Sequence, residues 1–359
     1  MRCNILKYRV IAKKTNYEQQ IRFYLSYYLC FLYFCQSYFL SLKQLYIFII
    51  ILVFVWPFSD SFGQQAPVFT QYREAQMFFN PAFAGMREGI CANGLLRQQW
   101  AGFKDYETGE NAAPENYLLT VDSPIKFLHG GLGGVIIQDK ATYNWNDISL
   151  LLSYSFHSEL SIGTLGIGIG AVLKNRSIDG SKYRAVDDDP VILKSEQSDM
   201  RFDANFGLFF RSIDNYYLGI SITNLLKTTF VKLDPSGDGL ISTDRTFYFI
   251  GGYNYILPSD PRFEIEPSIL IQSDLVSTQY NISATVNYNS RFWAGINYRV
   301  QESVGVLIGV RYKDFRLGYA YDVNTKQLGV PGSHEISLNY CFKIKTDRSK
   351  TSYKNTRYL

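Results

Sequence analysis

Apolar and polar residues alternate along the last part of the chain, residues 279–342. Within each short segment every second residue is apolar, and Asn, Ser, Thr or Gly stand mostly between them. The apolar register begins Tyr280, Ile282, Ala284, Val286, Tyr288 and restarts as Phe292, Ala294, Ile296, Tyr298, Val300. Successive side chains of a strand point to opposite faces, so each segment has one apolar face and one small polar face. Segments of about ten residues with this pattern, joined by tight turns, are typical of a transmembrane β-barrel.

Comparable strand signals precede this region, in residues 88–100, 117–122, 130–138, 148–157, 165–174, 201–211, 216–225, 245–257 and 262–273. Together with the segments of residues 279–342 they make about fourteen strands, and bacterial outer-membrane barrels have an even number. We therefore predict an all-β fold, a transmembrane antiparallel outer-membrane β-barrel of about 14 strands in residues 88–343.

The connections between these strands alternate in length. Long connections are 101–116, 139–146, 175–200, 226–244 and 324–333, and short ones are 158–164, 212–215, 258–261, 289–290 and 313–314. Outer-membrane barrels have long loops outside and short turns in the periplasm. This alternation predicts that both termini are periplasmic, with residues 64–87 as an irregular periplasmic segment and residues 344–359 as a basic periplasmic tail. A soluble β-sandwich is the alternative, and its buried apolar face favours Val, Ile and Leu. The polar face here consists of small residues (Asn, Ser, Thr and Gly), which suits a wet lumen better than a solvent-facing sheet.

The amino-terminal region has the features of an export signal. Residues 45–58 form an apolar run that follows Lys43, and the small residues Ser61 and Gly63 come after it. This pattern predicts a signal peptide cleaved after Gly63. The run is short for a membrane span of about 20 residues, although an uncleaved anchor is the alternative. Residues 1–41 are an unusually long extension, so we predict that translation starts near Leu42 and treat residues 1–63 as extension plus signal.

Composition fits an outer-membrane barrel and excludes several other classes. Aromatic residues make up 16% of the chain, with 28 Tyr and 26 Phe, which suits the aromatic girdles of such barrels. A net charge of +4 is too small to indicate a nucleic-acid partner. His129, His157 and His334 are not arranged for catalysis or metal binding. Asp187, Asp188 and Asp189 lack the ligand spacing of a calcium loop. From the histidines and these aspartates together we predict no enzyme activity, cofactor or metal.

Two cysteines, Cys91 and Cys341, remain after the predicted cleavage. They fall near the periplasmic ends of the first and last strands, which pair when a barrel closes. A disulfide between them is one interpretation, since the periplasm is oxidising. Two unrelated small residues are the interpretation we prefer at this point, because the register is unknown and disulfide geometry is narrow.

Several ordered motifs carry a family resemblance. They are 64–72 (QQAPVFTQY), 79–85 (FNPAFAG), 97–103 (RQQWAGF), 122–124 (DSP), 137–140 (IQDK) and 332–340 (GSHEISLNY). The pattern resembles the PorP/SprF family over nearly all of residues 64–342. The residues that carry the resemblance most clearly are Asn80, Pro81, Gly85, Gln99, Trp100 and Gly102.

The resemblance implies an outer-membrane barrel of the type IX secretion and gliding-motility machinery of Bacteroidetes. The partners it implies are the periplasmic PorK/PorN ring, a PorE-like protein, and a secreted surface protein or adhesin, besides outer-membrane lipid. The family brings no active site with it. A porin-like or hydrophobic-solute channel is the alternative function, although the predicted inward face mixes Gly, Ser and Asn with scattered Arg rather than forming a charged ring.

The alternation makes one quantitative prediction. Ile308 belongs to the predicted lipid face, and Arg at this position should cost about 2–4 kcal/mol. Leu307 belongs to the predicted inward face, where Arg should be better tolerated if the lumen is wet. Unfolding of both variants would check the assignment of faces.

Overall fold

The computed structural model describes residues 67–87, 89–105, 109, 111–142, 144–182, 195–233, 241–325 and 330–343. The predicted signal, the predicted start near Leu42, the basic tail 344–359 and the three aspartates 187–189 lie outside the described residues.

Fifteen strands follow one another along the described chain. They are β1 (Gly89–Gln98), β2 (Glu115–Ile125), β3 (Gly130–Thr142), β4 (Trp145–Leu160), β5 (Gly163–Asp179), β6 (Glu196–Ser212), β7 (Tyr216–Thr223), β8 (Thr246–Tyr253), β9 (Tyr255–Ile256), β10 (Phe263–Ser273), β11 (Thr278–Tyr288), β12 (Phe292–Arg299), β13 (Ser303–Tyr312), β14 (Phe315–Asn324) and β15 (Ser333–Lys343). One α-helix, α1 (Gln76–Phe79), and four 3-10 helices (Pro81–Phe83, Lys126–Leu128, Gly180–Lys182, Val231–Leu233) complete the described elements.

The strands close into one antiparallel barrel. Each strand pairs with its neighbours in the chain, and β8 and β9 both pair with β10 as two halves of a single interrupted strand. The last strand pairs with the first in a register that runs from Gly89↔Lys343 to Gln98↔His334. The result is a closed barrel of fourteen strands, which confirms the predicted fold. Closure leaves no sheet edge unpaired within the bilayer, as lipid requires.

The exposure of the side chains follows the predicted alternation. In β11 to β15 the apolar register is exposed and the intervening residues are buried. The outer face therefore presents a band of Ile, Val, Leu, Tyr and Phe that suits lipid. The period of two alone predicts which side chains face outward, because a register slip of one residue would move every apolar side chain to the other face.

The connections sort into two ends of the barrel, which we name the loop end and the turn end. The loop end carries connections 99–114, 143–144, 180–195, 224–245, 274–277, 300–302 and 325–332; the turn end carries 126–129, 161–162, 213–215, 257–262, 289–291 and 313–314. Most long connections are at the loop end, as predicted. The β3–β4 connection differs, because both strands continue beyond the predicted loop 139–146 and pair as far as Thr142↔Trp145.

The longest helix of the described residues is α1, with four residues, and no helix among them is long and apolar enough to cross a membrane.

One predicted face has different surroundings from those expected. Leu307 points inward as predicted, but it is only 3% exposed and packs in a buried cluster with Trp293 and Ala320. The expectation of a wet lumen at this position was wrong. The Asn, Ser and Thr of the inward register predict a water-filled lumen. In the structure a segment of the chain, described below, fills it instead.

We expect Ile308→Arg to lower the free energy of unfolding by about 2–4 kcal/mol, because Ile308 is 54% exposed on the lipid face. Leu307→Arg should now cost as much or more, since it would place an unpaired charge in a packed interior. Urea unfolding in lipid vesicles would measure both, with Ile308→Leu as the control that stays near the parent. Wild-type stability of Leu307→Arg would contradict the packed lumen.

Candidate functional site: a chain segment in the barrel lumen

Residues 67–87, which we call the lumen segment, fill the inside of the barrel. Most of its apolar side chains are completely or almost completely buried, among them Phe69, Tyr72, Met77, Phe79, Ala82 and Ala84. They form one core cluster with inward side chains of the wall, including Val135, Leu151 and Phe209. Phe69, Phe78 and Phe79 contact one another edge to face, with ring centroids 5.1–6.3 Å apart. The main apolar core of this barrel is therefore built around its own amino-terminal segment.

The prediction that residues 64–87 form a periplasmic segment is wrong for the described part, 67–87. The physical reason lies in the size of the barrel. Eight strands enclose a space that their own side chains fill, whereas more strands enclose a wider one. The inward residues here are largely Gly, Ser, Asn and Thr, which are too small to close a fourteen-strand interior. An apolar segment with several aromatic residues fills the remaining volume.

A buried ionic cluster holds the start of the lumen segment. The two carboxylate oxygens of Glu335 accept hydrogen bonds from the backbone N–H groups of Thr70 (2.9 Å) and Gln71 (2.6 Å). The Arg97 guanidinium lies between Glu335 (3.0 Å) and Asp322 (2.8 Å), and the Thr70 hydroxyl donates to Asp322. A carboxylate this deeply buried is costly unless it is paired and hydrogen-bonded. Here Arg97 and two backbone N–H groups meet that need.

Two further ion pairs join Arg73 and Glu74 of the segment to β10 and β14. Arg73 pairs with Glu266 and donates to the Thr285 hydroxyl at 2.7 Å. Glu74 pairs with Arg316 at 3.3 Å, and the Arg316 guanidinium lies 4.8 Å from the centre of the Trp293 ring. The segment is thus bridged to β10, β11 and β14 as well as to β1 and β15.

Asn80 and Pro81 start a tight bend that contacts β6 and β7. The Asn80 side chain accepts a hydrogen bond from the backbone N–H of Ala82 and donates to the carbonyls of Leu208 and Ile220. The backbone of Ala82 then runs directly against Gly168, where a Cβ would collide with it. The glycines of β5 serve here as the contact surface for another backbone.

Wall side chains recognise the main chain of the segment at most of its length. Glu335 accepts from two of its N–H groups, and the donors to its carbonyls are Asn93 to Glu74 (2.8 Å), Ser221 to Phe79 (2.6 Å), Ser155 to Ala82 (2.8 Å), His157 to Ala84 (3.0 Å) and Arg211 to Met86 (2.9 Å). Buried backbone groups need partners, and this segment of turns and short helices satisfies only some of them within itself and has no neighbouring strand for the rest. The small polar residues of the inward face provide those partners instead of lining water.

The segment ends at the turn end of the barrel. Gly85 has φ +69 and lies so close to Gly131 that a Cβ on it would be 2.6 Å from the Gly131 Cα. Its N–H donates to Asp122, which also pairs with Arg87, and β1 begins two residues later. Thr70 therefore lies near the loop end, and Lys343 lies at the turn end. This arrangement differs from the prediction that both termini are periplasmic, because residues near the two ends of the described chain lie at opposite ends of the barrel.

The residues singled out for the family resemblance separate into two places. Asn80, Pro81 and Gly85 lie in the lumen, whereas Gln99, Trp100 and Gly102 lie at the loop end just after β1. The backbone N–H of Gln99 donates to the carbonyl of Pro114, and the backbone N–H of Trp100 donates to the Ser333 hydroxyl at 3.2 Å. These contacts fold the 99–114 connection back on the barrel rim.

The structure joins Cys91 and Cys341 as a disulfide across the β1–β15 seam, where they are directly opposed. The interpretation of two unrelated residues that we preferred does not fit this arrangement. That preference rested on an unknown register, and the ladder now supplies it.

The lumen residues that matter most were not chosen from the sequence. Arg97 and Glu335 stood inside the quoted motifs, but nothing in the alternation marked them as partners. The available signal was the charge itself, since each lies on an inward face among small neutral residues. Among the described residues, His, Cys, Asp and Glu form no group of three or more suited to a metal ion.

We expect Glu335→Gln to lower the free energy of unfolding by about 3 kcal/mol, because it removes one carboxylate from a buried ion cluster and leaves Arg97 underpaired. The lumen segment should also become cleavable by trypsin at Arg73 in the folded barrel. Glu115→Gln is the matched control, because Glu115 meets Lys140 at 3.8 Å at a partly exposed site worth about 0–1 kcal/mol. Equal unfolding curves for the two variants would contradict the role of the cluster.

We predict that Cys91 and Cys341 are oxidised in the mature protein. Non-reducing digestion followed by mass spectrometry should recover one linked peptide pair, and reduction should separate it. Cys341→Ser should lower stability by about 2–4 kcal/mol, while Cys91→Ser/Cys341→Ser should cost no more than the single change. Two free thiols in protein purified from the outer membrane would contradict the prediction.

Similar solved structures include the toluene transporter TbuX of Ralstonia pickettii, at 11% identity over 75% of this chain and 94% of that chain with a TM-score of 0.45. Omp33 of Acinetobacter baumannii is similar at 7% identity over 72% and 100% of the two chains, with a TM-score of 0.41. None of the curated proteins compared with the chain matches it.

The family comparison is more specific. The model of the type IX secretion system membrane protein PorP/SprF matches residues 61–340, which include the lumen segment and nearly the whole barrel. The resemblance carried by the motifs is thereby confirmed, and the chain belongs to the PorP/SprF family.

Proposed function

We propose that this protein is a closed, non-enzymatic outer-membrane component of the type IX secretion and gliding machinery that helps to export or anchor a cell-surface protein. The observation that carries the proposal is the occupied lumen. A family of secretion membrane proteins supplies the context, and a lumen blocked by residues 67–87 means that the barrel acts through its surfaces rather than as a pore.

The lumen segment speaks against the alternative of a porin-like or hydrophobic-solute channel. Solute flux needs a continuous open path, whereas the described interior is packed with side chains of near-zero exposure. Removing the segment would break the hydrogen bonds of Thr70 and Gln71 to the buried ionic cluster, the ion pairs of Arg73 and Glu74, and several main-chain hydrogen bonds at once. Thermal opening of such a contact is costly, so the resting barrel should not conduct.

The turn end offers a surface for periplasmic partners such as a PorK/PorN ring or a PorE-like protein. Three successive turns there each carry an exposed apolar residue: Phe127 (81%), Ile162 (55%) and Ile213 (70%). Contiguous exposed apolar residues are typical of interaction sites. The Ile213 N–H donates to the carbonyl of Ile162 at 3.1 Å, so at least two of these turns are adjacent. With loops outside, this surface faces the periplasm.

We expect deletion of the gene to abolish surface display of one protein, and purified barrel to give no liposome swelling with small sugars. Re-expression of the wild-type chain should restore display. Re-expression of F127S/I162S/I213S should not, although the variant should fold, because those three residues project from turns outside the barrel core.

A matched control carries Lys313→Ser and Asp314→Ser in a polar turn on the other side of the turn end, and it should restore display. Rapid sugar flux through the wild-type barrel, with surface display unchanged in the deletion strain, would contradict the proposal and favour the channel. Recovery of display by the triple variant would show that the exposed residues of these three turns are not needed for the proposed function.

A further inference from the structure

Strand β6 continues past the end of β7 at the loop end of the barrel. It pairs with β5 along its whole length, as far as Glu196↔Asp179, without a bulge. On its other side β7 pairs only with residues 206–211 of β6. The part of β6 from Glu196 to Phe202, which we call the β6 edge, therefore has β5 as its one strand neighbour within the described chain.

The backbone groups of β6 point alternately to its two sides. The Ile213 N–H donates to the Ile162 carbonyl on the β5 side, whereas the Ala204 carbonyl accepts from the Leu225 N–H at 3.0 Å on the β7 side. Because the direction reverses at each residue of a strand, odd-numbered residues bond to β5 and even-numbered residues face away from it. Among the described residues no hydrogen bond reaches the even-numbered backbone groups of the β6 edge, which include those of Ser198, Met200 and Phe202.

The β6 edge lies at the loop-end limit of the lipid-facing band. Its outward side chains change from the apolar Phe202 (55% exposed) and Met200 (57%) to the polar Ser198. The residues opposite them on β5 change in the same way, from Leu173 beside Phe202 to Ser177 beside Ser198. An unpaired edge is not tolerated in hydrocarbon, but water can satisfy it at this level. The β6 edge is therefore an accessible row of main-chain donors and acceptors beside an apolar surface.

The described part of the 224–245 connection covers the inward face of the β6 edge. The Lys232 N–H donates to the Asp199 carboxylate at 3.1 Å, and the Thr228 hydroxyl donates to Asp203 at 2.9 Å. Phe230, between these two contacts, is completely buried. The connection is thus held by side chains that point inward, and these contacts use none of the main-chain groups on the open side of β6.

A second copy of the barrel does not fit the β6 edge. Barrel strands are tilted by about 35–45° from the membrane normal. A two-fold axis along that normal reverses the tilt, so the β6 edges of two copies inserted in the same direction would cross at about 70–90°. Adjacent strands of a sheet differ by only about 20–25° in direction. The occupant that fits is therefore a segment that can align itself with β6, which an extended polypeptide can do.

We propose that the β6 edge binds an extended segment of the exported surface polypeptide as an added β-strand. The identity of the partner as an exported polypeptide rests on the proposed function. Proteins usually protect an exposed edge with proline, lysine or a bulge, and residues 196–202 have none of these. Main-chain hydrogen bonds supply the affinity in strand addition, and alternate side chains supply the specificity. Outward side chains of the added strand lie beside Met200 and Phe202, so the segment that fits has apolar residues at every second position.

The first measurement needs no exported protein. Hydrogen exchange of single amides is followed in the purified barrel in lipid nanodiscs, with and without a synthetic nonapeptide of alternating valine and threonine that carries lysine at both ends. The N–H groups of Met200 and Phe202 should exchange faster than those of Asp199 and Arg201, and the peptide should slow them by about tenfold. Slow exchange without the peptide, or fast exchange that the peptide leaves unchanged, would overturn the proposal.

Met200→Pro removes one N–H on the open side of β6 and no bond to β5, a substitution that an edge strand tolerates. It should abolish the slowing at Phe202, whereas Met200→Thr, which keeps the N–H, should retain it. Resistance to unfolding in SDS without heating verifies that both variants are folded. Equal slowing at Phe202 in the two folded variants would show that the peptide does not pair with the edge.

The second measurement identifies the occupant in cells. Phe202→p-benzoylphenylalanine should crosslink on illumination to the surface protein whose display is lost in the deletion strain. Phe206→p-benzoylphenylalanine is the matched control, because Phe206 lies on the same face of β6 where β7 is paired, and it should give no such product. Crosslinks only to a second barrel or within the same chain would overturn the proposal. If the peptide binds the edge but the deletion changes no surface protein, the edge is a strand-binding site and the proposed function fails, so the two failures are distinguishable.

Discussion

The constraint on which the structure depends is the hydrogen bonding of a single chain segment buried inside a barrel. Residues 67–87 have no neighbouring strand, and a buried backbone without partners would cost several kcal/mol for each unpaired group. Turns within the segment pair part of its backbone, and the wall pairs further groups with side chains, among them Ser155, Ser221, Asn93 and Glu335. Most of these inward side chains are small and polar, as in a water-filled lumen. The same properties allow them to approach and hydrogen-bond the backbone of the lumen segment.

The same constraint explains the distribution of glycine. A main chain can approach a wall closely only where the wall has no side chain, and Gly168 and Gly131 supply such places against Ala82 and Gly85. The segment bends there through Asn80 and Pro81 and reaches the turn end. Polar and glycine positions of β3 to β7 thus form one contact surface, while β1, β14 and β15 hold the segment by charge at its start.

The sequence was sufficient to predict the strands, their faces and the closed barrel, because a period of two is a property of the local chain. The outward register of Ile296, Val306 and Ile308 needed nothing more. The lumen segment could not be found this way, since its contacts join residues as far apart as Thr70 and Glu335 and leave no periodic trace. A signal was still present in the aromatic residues of a stretch that has no alternation. Phe69, Tyr72 and Phe79 are poorly suited to a periplasmic linker, and their need for burial pointed to an interior.

The seam between β1 and β15 shows how the segment affects what the barrel can do. Ten residue pairs and the Cys91–Cys341 bond join the two strands, and Glu335 and Arg97, which face each other across the seam, both hold Thr70. Parting the seam would therefore break the ladder, a covalent bond and the attachment of the lumen segment together. A polypeptide that used this barrel could leave neither through the lumen nor sideways through this seam without dismantling several buried contacts at once. Because both routes are closed, the loop end and the turn end are the parts of the described barrel that a partner outside the lipid can reach.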